Sequence, residues 1–341
     1  MSSPESIAVV GMSYVFPDGV SSDDVFWDML MHKRNAAADF PKDRMNIDAF
    51  HSTDTKRQNT VTTRKANFLS KDIWEFDANF FGVSRHEAAS MDPQHRILLE
   101  TTYHALENGR YRHRYSLIAF SLTNTAGIVL EDIAGSKTSV HVGCFTTDYS
   151  SYLWRDAQQI PKYSATGGAA SILSNRLSWF FDLRGSSMTI DTACSSSMVA
   201  LDLACKDLRD GSSDLAIVCG ANLIFSPELN IALSNMGFLS PDGTCFSFDH
   251  RANGYARGEG FAVLILKRES GVTQSDRVRA LIRSIATNQD GRTPGGITQP
   301  NKDMQIRLIQ EAYNKAGLDM NSTAYFEAHG MFRFHLNAVV Y

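Results

Sequence analysis

The sequence predicts an α/β fold in which helices are layered on a buried sheet. Val140–Phe145, Leu215–Gly220 and Phe261–Leu266 are compact apolar runs bounded by turn residues, as strands covered on both faces require. Beside them lie segments with the apolar repeat of half-buried helices, and alternation of the two element types argues for layers. With 341 residues, 43% of them hydrophobic, the chain can bury a large core and is long for one simple domain. No segment repeats at a period of about 20–50 residues.

The elements follow in order. Ser6–Val10 is a short apolar strand that ends at Gly11. Ser21 or Ser22 caps a helix carrying Val25, Phe26, Met29 and Leu30 on one face. Residues 40–70 are polar and irregular and read as a surface excursion. Ser84-Arg85-His86-Glu87 has the capping-box spacing. Asp92-Pro93 then opens a second helix, Asp as cap and Pro at the first position, with Leu99, Tyr103 and Leu106 on one face. Ser187–Ile190 is partly β-branched, follows Gly185 and reads as a strand. After it, Met198, Leu201, Cys205 and Leu208 mark a helix with one buried face. Residues 302–316 form an amphipathic helix through Ile306, Ile309 and Tyr313, stopped by Gly317. Ala324-Tyr325-Phe326 reads as a last short strand.

Composition excludes several classes. A formal net charge of −4, with Lys and Arg scattered except at Arg110–Arg114, argues against nucleic-acid binding. No run approaches the apolar length of a membrane span, and residues 1–5 are polar, unlike a signal peptide. Cys144, Cys194, Cys205, Cys219 and Cys245 are odd in number and contain no C-x-x-C pair. A soluble, cytoplasmic protein without a disulfide or zinc framework is expected.

The chemistry centres on Asp191-Thr192-Ala193-Cys194-Ser195-Ser196-Ser197, where a strand hands over to a helix. Free N–H groups and the positive end of the macrodipole there favour a thiolate, which attacks a thioester or another acyl carbon. The rival reading is a buried structural cysteine, against which the three serines argue. His86, His95 and His104 are expected on polar or boundary helix faces, and no H-x-x-x-H ligand pair occurs. The Gly254/Gly258/Gly260 loop lacks the Lys of a P-loop and precedes a strand, so it reads as a tight backbone approach near the site. Ser195–Ser197 lack a G-x-S-x-G elbow and read as hydroxyls satisfying free helix N–H groups.

Further segments stand in a fixed order around this one. They are Ile7–Met12, Met91–Gln94 with Leu98–Glu100, Tyr163–Gly167, Ser174–Arg176, Gly237–Gly243, Asn253–Gly260, Asn288–Gly291 and Glu327–Gly330. Together they resemble the β-ketoacyl synthase (ketosynthase) domain that opens type I polyketide synthases, most closely the fungal, highly reducing kind. The resemblance implies a thiolase-like fold, an α-β-α-β-α layered sandwich of two similar halves. Residues 6–270 would supply the first half, and 271–330 the start of a truncated second. It implies that Cys194 accepts an acyl chain from the phosphopantetheine arm of an acyl carrier protein. Decarboxylative Claisen condensation with a malonyl thioester would follow. Cys194 would be the nucleophile, its own N–H one oxyanion donor, and His329 the imidazole that polarises the malonyl thioester during decarboxylation. The resemblance further implies a homodimer, no metal, no bound cofactor, and neither nucleic acid nor membrane as partner.

Two departures from the family pattern stand out. Beyond Gly330 the family continues into motifs carrying a lysine, a second histidine and a glycine-rich oxyanion loop. Here Met331–Tyr341 follows instead, and its His335 matches nothing in the family. Gly109–Thr125 also interrupts a stretch that family members run straight through. Gly109 opens one and Gly330 immediately precedes the other, and a glycine codon can hold a splice-donor GT, so both read as retained introns. The Leu117–Phe120 run would be an aggregation liability on a surface connection. The rival view of Gly109–Thr125 is a genuine loop. The alternative function is accordingly a catalytically incomplete fragment without condensing activity; a stand-alone Cys acylase is a third reading.

Overall fold

The structure, a computed structural model, describes residues 3–54, 56–108 and 130–330. The anomalous segments Gly109–Thr125 and Met331–Tyr341 lie outside the described residues.

Strand β1 (Ile7–Val15) does not stop at Gly11 as expected. It shifts register between Val9 and Gly11 and continues. A Cβ at Gly11 would lie 2.5 Å from the Ala105 carbonyl oxygen, so this glycine admits a helix against the strand rather than ending it. Helix α1 (Asp23–Met31) is capped by Ser22, whose Oγ accepts from Val25 N at 3.4 Å. Its apolar residues share one face as expected, yet none of the helix is buried, and Trp27 is 64% exposed. Periodicity identifies a helix but not what covers it.

The excursion expected over 40–70 is a correction too. β2 (Ala37–Asp39) and β3 (Lys65–Asn67) pair antiparallel. Around this ribbon Phe40, Met45, Ile47, Val61, Ala66 and Phe68 bury themselves with Ile224. These residues are too scattered along the chain to show a period.

Helix α2 (Arg85–Ser90) is capped by Ser84 Oγ, which accepts from Glu87 N at 3.2 Å. The Glu87 carboxylate pairs with Arg176. Helix α3 (Pro93–Asn108) begins as expected, Asp92 Oδ1 accepting from Gln94 N at 2.8 Å. Leu99 and Leu106 are buried, but so is most of the helix girth, because the sheet and the helix over 170–180 both pack on it. His86 and His104 are exposed, whereas His95, expected at a boundary, is only 2% exposed.

The remaining elements are α4 (Leu130–Ile133), β4 (Thr138–Gly143), α5 (Asp148–Leu153), α6 (Ser164–Gly168), α7 (Ala170–Phe180) and β5 (Ser187–Ile190). They continue with α8 (Ser196–Asp210), β6 (Leu215–Asn222), α9 (Pro227–Asn235), β7 (Gly260–Arg268), β8 (Ala280–Ile282) and α10 (Lys302–Ala316). Six strands form one sheet in the order β5-β4-β6-β7-β1-β8. β5, β4 and β6 run parallel, and the pairs β6–β7, β7–β1 and β1–β8 are antiparallel.

Side chains alternate across this sheet. Ile217 joins Ile97, Leu98, Leu106, Val140 and Leu177 under α3 and α7. Its neighbours Ala216 and Val218 join Ala200, Ala204, Cys205 and Leu208 under α8. Met198, expected on the buried stripe of α8, is 57% exposed. Cys205 and Leu208 are buried as expected, and Ala200 and Ala204 complete the stripe and let the helix approach the sheet.

Helix α10 has its Asn301 cap, which accepts from Asp303 N at 3.0 Å, and a left-handed Gly317 at φ +63°. Ile306 is nevertheless 42% exposed, and only Ala316 of this helix is buried. The strand expected at 324–326 does not form; Tyr325 is 77% exposed. Extended residues become a strand only through a ladder partner, and no described strand runs beside these.

Burial, with Arg176 and Arg96 adding repulsion, pushes the His95 pKa down from 6.5 to about 3. The stability that comes from its neutral form is therefore full above 6.5 and lost as pH falls toward 3. Asp92 opposes this: burial raises its carboxyl from 3.8 to about 6, so its contribution is present below 3.8 and lost as pH rises through 6. The His95 displacement is the larger. Urea titrations on acidification below pH 6.5 should show falling stability, and His95→Asn should flatten that fall. An unchanged pH profile in the variant would refute the assignment.

Candidate active site

The carboxyl ends of β4, β5 and β6 finish in one row, Gly143 opposite both Ile190 and Gly220. Ligand sites of open α/β sheets lie outside such strand ends. From β5 the chain turns through Asp191–Ser195 into α8, and Ser195 is the N-cap. Cys194 thus stands one residue before the N-cap, just ahead of the first turn as expected. Ala193, just ahead of it, takes a left-handed φ of +56°, a conformation costing about 1–3 kcal/mol in a non-glycine residue.

Local hydrogen bonds hold that turn. Asp191 Oδ1 accepts from Ala193 N at 3.0 Å, and the Ser195 hydroxyl donates to Thr192 O at 2.8 Å. Ser196 Oγ accepts from Thr192 N at 2.9 Å and donates to Ala193 O at 2.5 Å. The serines were expected to satisfy helix N–H groups; instead Ser195 and Ser196 bind the turn that presents the cysteine. Two glycines let the helix start drop onto the sheet. A Cβ on Gly143 would fall 2.3 Å from Ser197 N, and one on Gly220 would fall 3.3 Å from Ser197 Cβ.

Cys194 opens into a cleft of about 290 Å³. Gly143–Phe145 line it from β4, Gly220–Asn222 from β6, and Gly258–Ala262 from the start of β7. The glycine loop does approach backbone tightly: Gly254, at φ +140°, leaves only 2.5 Å between its Cβ position and Ser240 N. Glu259 escaped the sequence reading. It is 4% exposed, and its carboxylate accepts from Leu69 N at 3.0 Å and Ile224 N at 3.1 Å, with Arg44 at 3.5 Å. It ties the β3 and β6 loops to the cleft wall. A lone Glu between Gly258 and Gly260 was the available signal.

The thiols divide sharply. Burial pushes Cys144 and Cys205 up to about 11 and Cys219 up to about 12. Cys194 and Cys245 are exposed. His329 is exposed, follows the unpaired 324–328 segment and does not line the cleft with Cys194. The residue after it is held to the loop before Phe248, since Gly330 O accepts from Ser247 Oγ at 3.1 Å. Among the described residues no group of three or more His, Cys, Asp or Glu could hold a metal ion, and no helix is long and apolar enough to cross a membrane.

The N-terminal domain of β-ketoacyl synthases matches residues 4–271, and their C-terminal domain matches 279–331. The chain belongs to the β-ketoacyl synthase family. It is 48% identical over 327 residues to the highly reducing polyketide synthase Preu1 of Preussia isomera, covering 96% of this chain and 13% of that protein. It is 46% identical to the reducing polyketide synthase pksF of Alternaria solani, covering 96% of this chain and 14% of that one. Among solved structures, the oxazolomycin ketosynthase domain OzmH KS7 of Streptomyces albus JA3453 superposes with a TM-score of 0.85 at 33% identity, over 96% of this chain and 53% of that one. A ketosynthase from module 6 of the bacillaene synthase of Bacillus subtilis 168 gives 0.81 at 33% identity, over 96% and 51%. The fold is therefore that of the ketosynthases, thiolase-like, and the chain spans a small part of the curated ketosynthase-bearing proteins it matches.

Two outcomes test the reactivity expected of Cys194. Limited iodoacetamide with peptide mapping should label Cys194 first and leave Cys144, Cys205 and Cys219 unmodified in the folded chain. Preferential labelling of Cys144 or Cys245 would sink the assignment. Gly143→Ala should lift the start of α8, slow Cys194 alkylation and cost about 1–3 kcal/mol by overpacking. Denaturant titration beside the labelling rate checks both effects.

Proposed function

We propose that this chain provides the acyl-accepting part of a β-ketoacyl synthase in polyketide assembly. The observation that carries this is Cys194 itself: exposed, presented by a strained turn at a helix start, and open to a cleft at three strand ends. Its thiolate attacks the carbonyl carbon of an acyl chain carried on the phosphopantetheine of an acyl carrier protein. A C–S bond forms through a tetrahedral oxyanion, with the Cys194 N–H as one donor, and the pantetheine thiol leaves with a proton. In the condensing step a malonyl thioester loses CO₂, its carbanion attacks the acyl-cysteine carbonyl, and the acyl C–S bond breaks to return the Cys194 thiolate as the β-ketoacyl thioester leaves. His329 is the group we propose to donate to the malonyl thioester oxygen.

The relatives' printed descriptions as polyketide synthases support the substrate class. The setting we propose is a reducing cytoplasm, consistent with five free cysteines. A second copy is the partner we propose for the β5 edge. Among the described residues that strand pairs only with β4, and Met188 and Trp179 beside it are 39% and 68% exposed.

The place of His329 favours a second reading of this chain as it stands: it captures an acyl group but does not condense. Incubation with an acyl-N-acetylcysteamine thioester should add one acyl mass by intact-protein mass spectrometry, and Cys194→Ala should abolish it. Acylation that survives this substitution would overturn the primary reading. Adding a malonyl thioester should yield no β-ketoacyl product, and detectable product would overturn the second.

A further inference from the structure

Behind the Cys194 cleft lies a second cavity of about 90 Å³, with Cys144 and Phe145 as the shared wall. Asp92, Gln94, His95, Thr146 and Asp191 also line it. Most of these groups bind one another. Gln94 Nε2 donates to Asp92 Oδ2 at 3.1 Å, and the Thr146 hydroxyl donates to Gln94 Oε1 at 3.2 Å. The Cys144 thiol points at the same oxygen from 3.6 Å.

One atom is left over. His95 Nδ1, on a side chain 2% exposed, has no hydrogen-bond partner among the described residues. Native interiors pair such atoms with protein or with ordered water. A cavity takes water when it has the room and two to four polar partners; this one has space for about three molecules at ~30 Å³ each. Asp191 connects the chamber to the site, because it lines the chamber and its carboxylate accepts from Ala193 N at 3.0 Å in the turn before Cys194.

We propose that this inner chamber is a binding site for a small cluster of water molecules that bridges His95 Nδ1 and Asp191 and thereby holds the turn presenting Cys194. His95 is then a positioning residue. Its effect on reactivity rests on Cys194 being the reactive thiol; the water site itself does not.

A crystal structure of the full chain, at a resolution that resolves water, should show density within hydrogen-bond distance of His95 Nδ1 and connected to Asp191. His95→Phe fills the chamber and should lower the iodoacetamide rate at Cys194 several-fold while leaving Cys245 unchanged. His95→Asn, whose amide takes the place of Nδ1, should restore most of the rate. A chamber without water density overturns the proposal. So does a His95→Phe protein, folded by circular dichroism, that is labelled at the parent rate. If the parent is not labelled at Cys194, the functional reading fails instead, and the density still decides the chamber.

Discussion

The approach of α8 to the carboxyl ends of β4 and β6 is the constraint on which the site depends. Gly143 and Gly220 leave no side chain between the strand ends and Ser197, so the first turn of the helix rests on backbone. Ala200 and Ala204 continue that close approach along the sheet. With the helix start so low, the chain leaving β5 must reverse within Asp191–Ser195, and Ala193 absorbs the reversal at positive φ. The strain is sustained because four side-chain hydrogen bonds from Asp191, Ser195 and Ser196 over-determine the turn. An exposed thiol at a rigid, strained corner is the outcome.

Buried carboxylates do for the cleft walls what ladders do for the sheet. Glu259 accepts from two backbone amides of different loops, and Asp148 Oδ2 accepts from Phe225 N at 3.1 Å and Ser226 N at 3.2 Å. Arg257 adds a bond to Asn230 at 3.1 Å. Desolvating such groups is costly, and several hydrogen bonds per carboxylate offset that cost while fixing irregular backbone in one place. The backbone at Leu69, Ile224, Phe225 and Ser226 is thus held without belonging to any strand or helix.

Several apolar faces remain on the surface: the outer side of α1, Met198 on α8, Ile306 on α10, and the segment carrying Tyr325 and Phe326. Contiguous exposed apolar surface marks contact sites. These faces belong to a chain that spans 13% of the relative Preu1 and about half of each solved ketosynthase chain it superposes on.

The buried strands, the caps at Ser84 and Asp92, a cap at Ser21 or Ser22, the stop at Gly317 and the position of Cys194 before a helix were all legible in the sequence. Each is set by a few neighbouring residues: a run of apolar side chains, a side-chain oxygen within reach of an amide, a glycine able to adopt positive φ. What lay beyond the sequence depends on partners far along the chain. The core around Phe40 and Phe68 needs Ile224, the burial of His95 needs α7, and the strut of Glu259 needs Leu69 and Ile224. The unformed strand at 324–326 is the same lesson in reverse, since extended backbone without a neighbour has nothing to pair with. Local chemistry decides which element forms; which face is covered, and which polar atom is left to find a partner, is decided only when distant segments pack.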